Sequence, residues 1–117
     1  MTENKEKKYS PWMPITDIKA LRVLGKAVEE TAELNKALAR AIIQGLDGID
    51  PHTGKDNRTA ILEEMADVEA NISLLKDFFG FHRMLLHEYN PEINNYYLRI
   101  MNKAEKLKEW QEGDLDE

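Results

Sequence analysis

Between Thr16 and Gln44 the chain has no proline and a single glycine, Gly25. Over the same stretch apolar residues recur every three or four positions, at Ile18, Leu21, Leu24 and Val28, then at Leu34, Leu38 and Ile42. That recurrence is the repeat of one face of an α-helix, and its persistence predicts a single long helix. Such a helix spans on the order of 40 Å. Its two apolar stripes predict that it faces two partners, and Gly45 stands where a C-terminal cap belongs. A second seam, Ile61, Met65, Val68, Ile72, Leu75 and Phe79, predicts a helix from Thr59 to Phe79 that Gly80 ends. Asn90-Pro91 reads as a cap followed by proline in the first helical position. It opens a last helix to about Gln111, with Ile93, Tyr97, Ile100, Ala104 and Leu107 on its apolar face. Phe81 to Tyr89 fits a short helix or a turn. No segment alternates with period two, so the expected fold class is all-α: a small helical bundle of two long helices joined by a long loop, plus a C-terminal helix.

A chain of 117 residues holds one domain, expected over residues 11–112, between a flexible polar arm at 1–10 and an acidic tail at 113–117. With 22 Asp and Glu against 16 Lys and Arg, the net charge is −6. A large basic surface is thereby excluded, and no nucleic-acid polymer is an expected partner. The absence of cysteine excludes disulfides, a thiol nucleophile and every cysteine-based metal site. No apolar run approaches the roughly 18 residues of a membrane span, and the polar start lacks a signal-peptide pattern. The expected location is cytoplasmic, with no membrane partner.

The segment from Gly45 to Arg58 contains three glycines and one proline without helical periodicity, and it well exceeds the about 4–6 residues of an ordinary connection. Loops of that length are more often functional or mobile than simple connectors. On the helices that flank it, Glu29-Glu30-x-x-Glu33 is echoed by Glu63-Glu64-x-x-Asp67. Residues three apart share a helix face, so Glu30 with Glu33 and Glu64 with Asp67 form two carboxylate pincers. If the helices fold back on each other the pincers can meet, and four gathered carboxylates call for bound cations. Oxygen-only donors select hard ions such as Mg²⁺, with Mn²⁺ as a substitute. Glu64, Asp67 and Asn71 are expected at the margin of the Met65, Val68, Ile72 seam, where a site is both walled and open. A di-iron centre would need Glu three residues before a histidine, but Ile49, Phe79 and Met84 stand there instead.

These residues resemble the signature of the all-α nucleoside triphosphate pyrophosphohydrolases, the MazG-like superfamily. The surroundings extend the resemblance: Leu24-Gly25-Lys26, Gln44-Gly45-Leu46-Asp47, Pro51-x-Thr53-Gly54-Lys55-x-Asn57-Arg58 and Ala66-Asp67-Val68-x-Ala70-Asn71 are similar to a subgroup common in phages and prophages. The resemblance is strong from Leu24 to Leu75 and weaker toward Arg99, Lys103, Leu107 and Trp110. It implies Mg²⁺-dependent cleavage of a nucleoside triphosphate to monophosphate and pyrophosphate, for nucleotide-pool control or removal of unwanted nucleotides. It implies metal binding by Glu30, Glu33, Glu64 and Asp67, and a homodimer or tetramer with a four-helix core built from two subunits. Asn71 is expected to hydrogen-bond the nucleotide, and Lys26 to contact phosphate or balance the carboxylates. Lys55, Asn57 and Arg58 are expected to fold over the triphosphate. Arg99, Lys103 and Lys106, at i, i+4 and i+7, are suited to catching phosphates. Trp110, Tyr96 and Tyr97 are expected in the core, with Trp12 free to stack on a base. Glu29 and Glu63 point away from their neighbours toward supporting roles. The alternatives are a related hydrolase acting on dUTP and dUDP or on phosphoribosyl-ATP, and a non-catalytic helical module that keeps a metal site.

Overall fold

Asp17 starts the first helix. Its backbone is extended, with φ −68° and ψ 124°, and its carboxylate accepts from the Ala20 N–H at 2.8 Å. One of the donors that a helix start leaves unpaired is satisfied in this way, which sets the start two residues later than periodicity alone predicts. The computed structural model describes residues 11–86 and 91–113. The expected arm at 1–10, His87, Tyr89, the Asn90 cap, the side chain of Ile93 and residues 114–117 of the tail lie outside the described residues. Helix α1, Ile18–Gln44, runs unbroken through Gly25. At its end Gly45 adopts φ +86° and returns its N–H to Ala41 O at 2.7 Å, a backbone conformation that a side chain would strain.

Helix α2 is Asn57–Phe78. It begins two residues earlier than expected because Asp56 caps it: Asp56 Oδ1 accepts from the Thr59 N–H at 2.9 Å, and its carbonyl accepts from Ala60 N–H at 3.1 Å. The short segment after Gly80 is helical, α3, Phe81–Leu86, and α4 is Pro91–Glu112, with proline in its first position as predicted. The fold is all-α, and the extended pairing among the described residues is a single bridge inside the loop, between Ile49 and Asp56.

The chain divides into two units, Met1–Ile72 and Ser73–Glu117. In the first, the half-covered positions of α1 are Val23, Leu24, Ala27, Glu30, Leu34, Ala37, Arg40 and Ala41, below a buried Ala20. They follow the helical repeat along one face, and Ala27, Ala37 and Ala41 are three of the eight. On α2 the corresponding stripe is Ile61, Glu64, Val68 and Asn71. This corrects the expected seam: α2 is turned so that Glu64 and Asn71 take covered positions, while Met65 and Ile72 are exposed. The apolar residues read as core on α1 are largely uncovered in one chain, with Val28 at 67% and Ile42 at 85% exposure.

In the second unit α3 packs against α4. The rings of Phe78 and Phe79 meet edge to face at 5.0 Å, and Phe79 stacks on Phe81 at 5.9 Å. Tyr96, rather than Tyr97, is the half-covered aromatic of α4, and the Lys76 ammonium lies 5.1 Å from its ring. Tyr97 and Trp110 are exposed, contrary to their expected place in a core.

Candidate metal centre

The chain reverses through the loop at residues 45–56, so that α2 returns toward the middle of α1. The reversal is held by Asn57, which is 1% exposed. Its amide nitrogen donates to Gln44 Oε1 at 3.3 Å and to Gly45 O at 2.7 Å. Both amide protons are engaged, so Asn57, expected to fold over the triphosphate, has a structural role and also lines the cavity beside it. Beside it, a Cβ on Gly48 would come within 2.9 Å of Gln44 Cβ and Gln44 O and 3.0 Å of Asn57 Nδ2. Only glycine fits that approach. Asn57 N–H donates to Gly48 O at 2.9 Å and Arg58 N–H to Leu46 O at 3.1 Å, completing the clasp.

With the reversal in place, the carboxylates of Glu30 on α1 and of Glu64 and Asp67 on α2 each bring one oxygen within 4.8 Å of the others. Opposite oxygens around a six-coordinate ion with bonds of about 2.1 Å stand about 4.2 Å apart, so the three oxygens are near the spacing at which one metal ion can be held. Burial raises the pKa of Glu64, and the negative charges of Asp67, Glu33, Glu30 and Glu63 push it further the same way. A carboxylate held among like charges is one that a cation relieves. Glu33, the fourth expected ligand, stands outside the triad but lines the cavity next to it, together with Glu64. Three of the four expected ligands therefore converge, and the fourth is adjacent.

Asn71, one turn beyond Asp67, donates from Nδ2 to Asp67 O at 2.9 Å. Its Oδ1 is buried with no partner, and it is the one such side-chain atom among the described residues. An unpartnered buried acceptor beside a charged site fits a donor brought by a ligand.

Two of the lysines near the carboxylates, Lys26 and Lys55, are already paired. Lys26 Nζ lies 3.3 Å from both Glu29 Oε1 and Glu30 Oε2, so it balances the cluster, and its pKa is raised by hydrogen bonds to Glu30 and then Glu29. Lys55 Nζ lies 2.6 Å from Glu63 Oε1. Glu29 and Glu63 are thus the residues that hold these two lysines. Arg58 is turned to Asp47, Nε to Oδ1 at 2.9 Å, and braces the start of the loop. Arg99, Lys103 and Lys106 share a shallow groove on α4 with Asn95, Leu98 and Asn102, within the second unit. Trp12 is 97% exposed, as expected of a residue ahead of the helices.

Two residues that sequence reading did not single out also face the cavity: Lys36 and Arg40. The signal was present, since Arg40 lies two turns beyond Glu33 on one face of α1, but helical spacing alone does not separate such a residue from solvated surface.

No family model, no curated protein and no solved structure matches the chain.

Proposed function

We propose that the chain is a Mg²⁺-dependent nucleoside triphosphate pyrophosphohydrolase, hydrolysing a nucleoside or deoxynucleoside triphosphate to its monophosphate and pyrophosphate. The observation that carries this reading is the convergence of Glu30, Glu64 and Asp67 from two helices within 4.8 Å, with Glu33 adjacent. The resemblance of the surrounding residues to the MazG-like superfamily supports it. In the reaction a water oxygen bonds to the α-phosphorus and the bond from that phosphorus to the α–β bridging oxygen breaks. Pyrophosphate leaves with the bridging oxygen, and the protons of the water pass to the products and solvent.

Glu30, Glu33, Glu64 and Asp67 would hold Mg²⁺, or Mn²⁺ in its place. When bound, the metal neutralises polyphosphate charge and polarises phosphoryl oxygens. The protein's own contribution is placement. The Asn57 clasp fixes the loop, Lys26 pairs with Glu30 and orients it, and Asn71 Oδ1 accepts from a donor on the nucleotide. The proposal includes a homodimer or tetramer, supported by the exposed apolar residues of α1, which one chain leaves in water.

The test is pyrophosphate release from a panel of dNTPs and NTPs with Mg²⁺, run beside Glu33→Gln and Asp67→Asn. Release with formation of monophosphate from one or a few nucleotides, abolished in both variants, is the expected result. A folded protein that binds Mn²⁺ yet releases pyrophosphate from none of them would overturn the reading and leave a different nucleotide substrate or a binding role.

A further inference from the structure

The cavity beside the carboxylate triad is bounded by α1, the loop and α2. Its volume is about 220 Å³, below the roughly 300–1,000 Å³ of pockets that enclose a whole small ligand. A complete nucleoside triphosphate does not fit inside it. Among the described residues no aromatic ring lines it, and Ala37 and Ala60 are its apolar residues, so these walls give a base neither a stacking face nor an apolar surface. What the walls do offer is charge of both signs. Glu33 and Glu64 border it on the side of the triad, and Lys36, Arg40 and Lys55 are its cations.

The same order is written along α1. Glu30, Glu33, Lys36 and Arg40 follow at helical spacing, so one side of the helix passes from negative to positive over about 10 Å beyond Glu33. A polyphosphate whose metal-bearing end meets carboxylates and whose outer end meets cations matches this order. The three cations are not equivalent. Lys55 is neutralised by Glu63 at 2.6 Å. Arg40 Nη1 donates to Asp50 Oδ2 at 2.9 Å, which leaves the other donors of its guanidinium for a ligand. Lys36 has no carboxylate within 4.0 Å among the described residues and lies exposed at the rim.

Arg40 has a second role. Its partner Asp50 organises the turn that carries Lys55: the Asp50 carboxylate accepts from His52 N–H at 2.9 Å, its carbonyl accepts from Gly54 N–H at 2.8 Å, and its N–H donates to Lys55 O at 2.9 Å. Removing Arg40 would therefore alter both charge and loop. Removing the Lys36 ammonium alters charge alone.

From this geometry we infer that the cavity is a pyrophosphate subsite. Lys36 and Arg40 bind the two outer phosphates of the substrate, which leave as pyrophosphate, and the base is read elsewhere. The inference rests on the proposed hydrolysis for the identity of the substrate, but binding can be measured without turnover. The experiment is calorimetric titration of the full chain with magnesium pyrophosphate, in the wild type, Lys36→Met and Lys36→Arg, with Mn²⁺ affinity measured in parallel by electron paramagnetic resonance. Lys36→Met is expected to weaken pyrophosphate binding about tenfold or more, the scale of one lost charge-assisted hydrogen bond. Lys36→Arg is expected to restore most of it, with Mn²⁺ affinity unchanged in both. If nucleotides are hydrolysed, Lys36→Met is also expected to raise KM by the same factor for every base.

Wild-type protein that does not bind pyrophosphate, or Lys36→Met that binds it as the wild type does, would overturn the subsite. If no nucleotide is cleaved while pyrophosphate binding still depends on Lys36, the hydrolase reading fails and the subsite stands. If nucleotides are cleaved and Lys36→Met changes neither pyrophosphate binding nor KM, the subsite alone fails.

Discussion

Glu64 occupies a position that a helix interface would ordinarily give to an apolar side chain, and burial together with Asp67, Glu33, Glu30 and Glu63 raises its pKa above the ordinary 4.5. A raised carboxylate pKa means that the folded protein binds this proton more tightly than the unfolded chain, so stability falls as pH rises from 4.5 through the raised value. Glu64→Gln removes that loss. The metal-free variant is expected to melt above the wild type at pH 7, with the difference closing as the pH is taken below 4.5. Adding Mn²⁺ should reverse the order, because only the intact carboxylate set gains from binding; melting curves at the two pH values, with and without the ion, check both halves. Asn71 makes a complementary case. Its Oδ1 lacks a partner in the free protein, so Asn71→Ala is expected to raise KM for the nucleotide while leaving Mn²⁺ affinity unchanged. An unaltered KM would assign Asn71 to structure alone.

At the level of the loop, function depends on residues that bind nothing. Asn57 ties both ends of the reversal through Gln44 and Gly45, and Gly48 leaves room for that contact. Asn57→Ala removes its hydrogen bonds to Gln44 Oε1 and to Gly45 O, the latter then keeping only the Gly48 N–H, and at about 0.5–1.5 kcal/mol for each bond a loss of about 1–3 kcal/mol is expected by urea unfolding. Gly48→Ala forces a methyl group against Gln44 O and is expected to destabilise by a similar amount, about 1–3 kcal/mol. Both variants displace the turn that carries Lys55, so KM should rise although neither side chain belongs to the carboxylate set. The loop is where sequence reading was least complete. Its existence was legible from glycine, proline and missing periodicity. The partners of its residues, Arg40 with Asp50 and Arg58 with Asp47, join positions ten or more residues apart, which no local pattern encodes.

For the whole molecule the uncovered apolar residues of α1 matter most. Ile18, Leu21, Val28, Ile42 and Ile43 are exposed in one chain, and large apolar side chains left in water near both ends of a long helix favour burial against another copy. Sedimentation is expected to give a dimer or tetramer, and Val28→Glu with Ile42→Glu is expected to give a monomer. A wild type that sediments as a monomer would remove the oligomer from the proposal.

The helices, their order and the two carboxylate pincers were legible from spacing alone, because an α-helix maps positions three and four apart onto one face whatever surrounds it. The rotation of α2 that turns Glu64 and Asn71 inward, the engagement of Asn57 in the clasp and the pairing of Lys55 with Glu63 were not. Each depends on which segments the reversal brings within a few ångströms, and that distance is set by close approach at Gly48 and by hydrogen bonds between residues far apart in the chain.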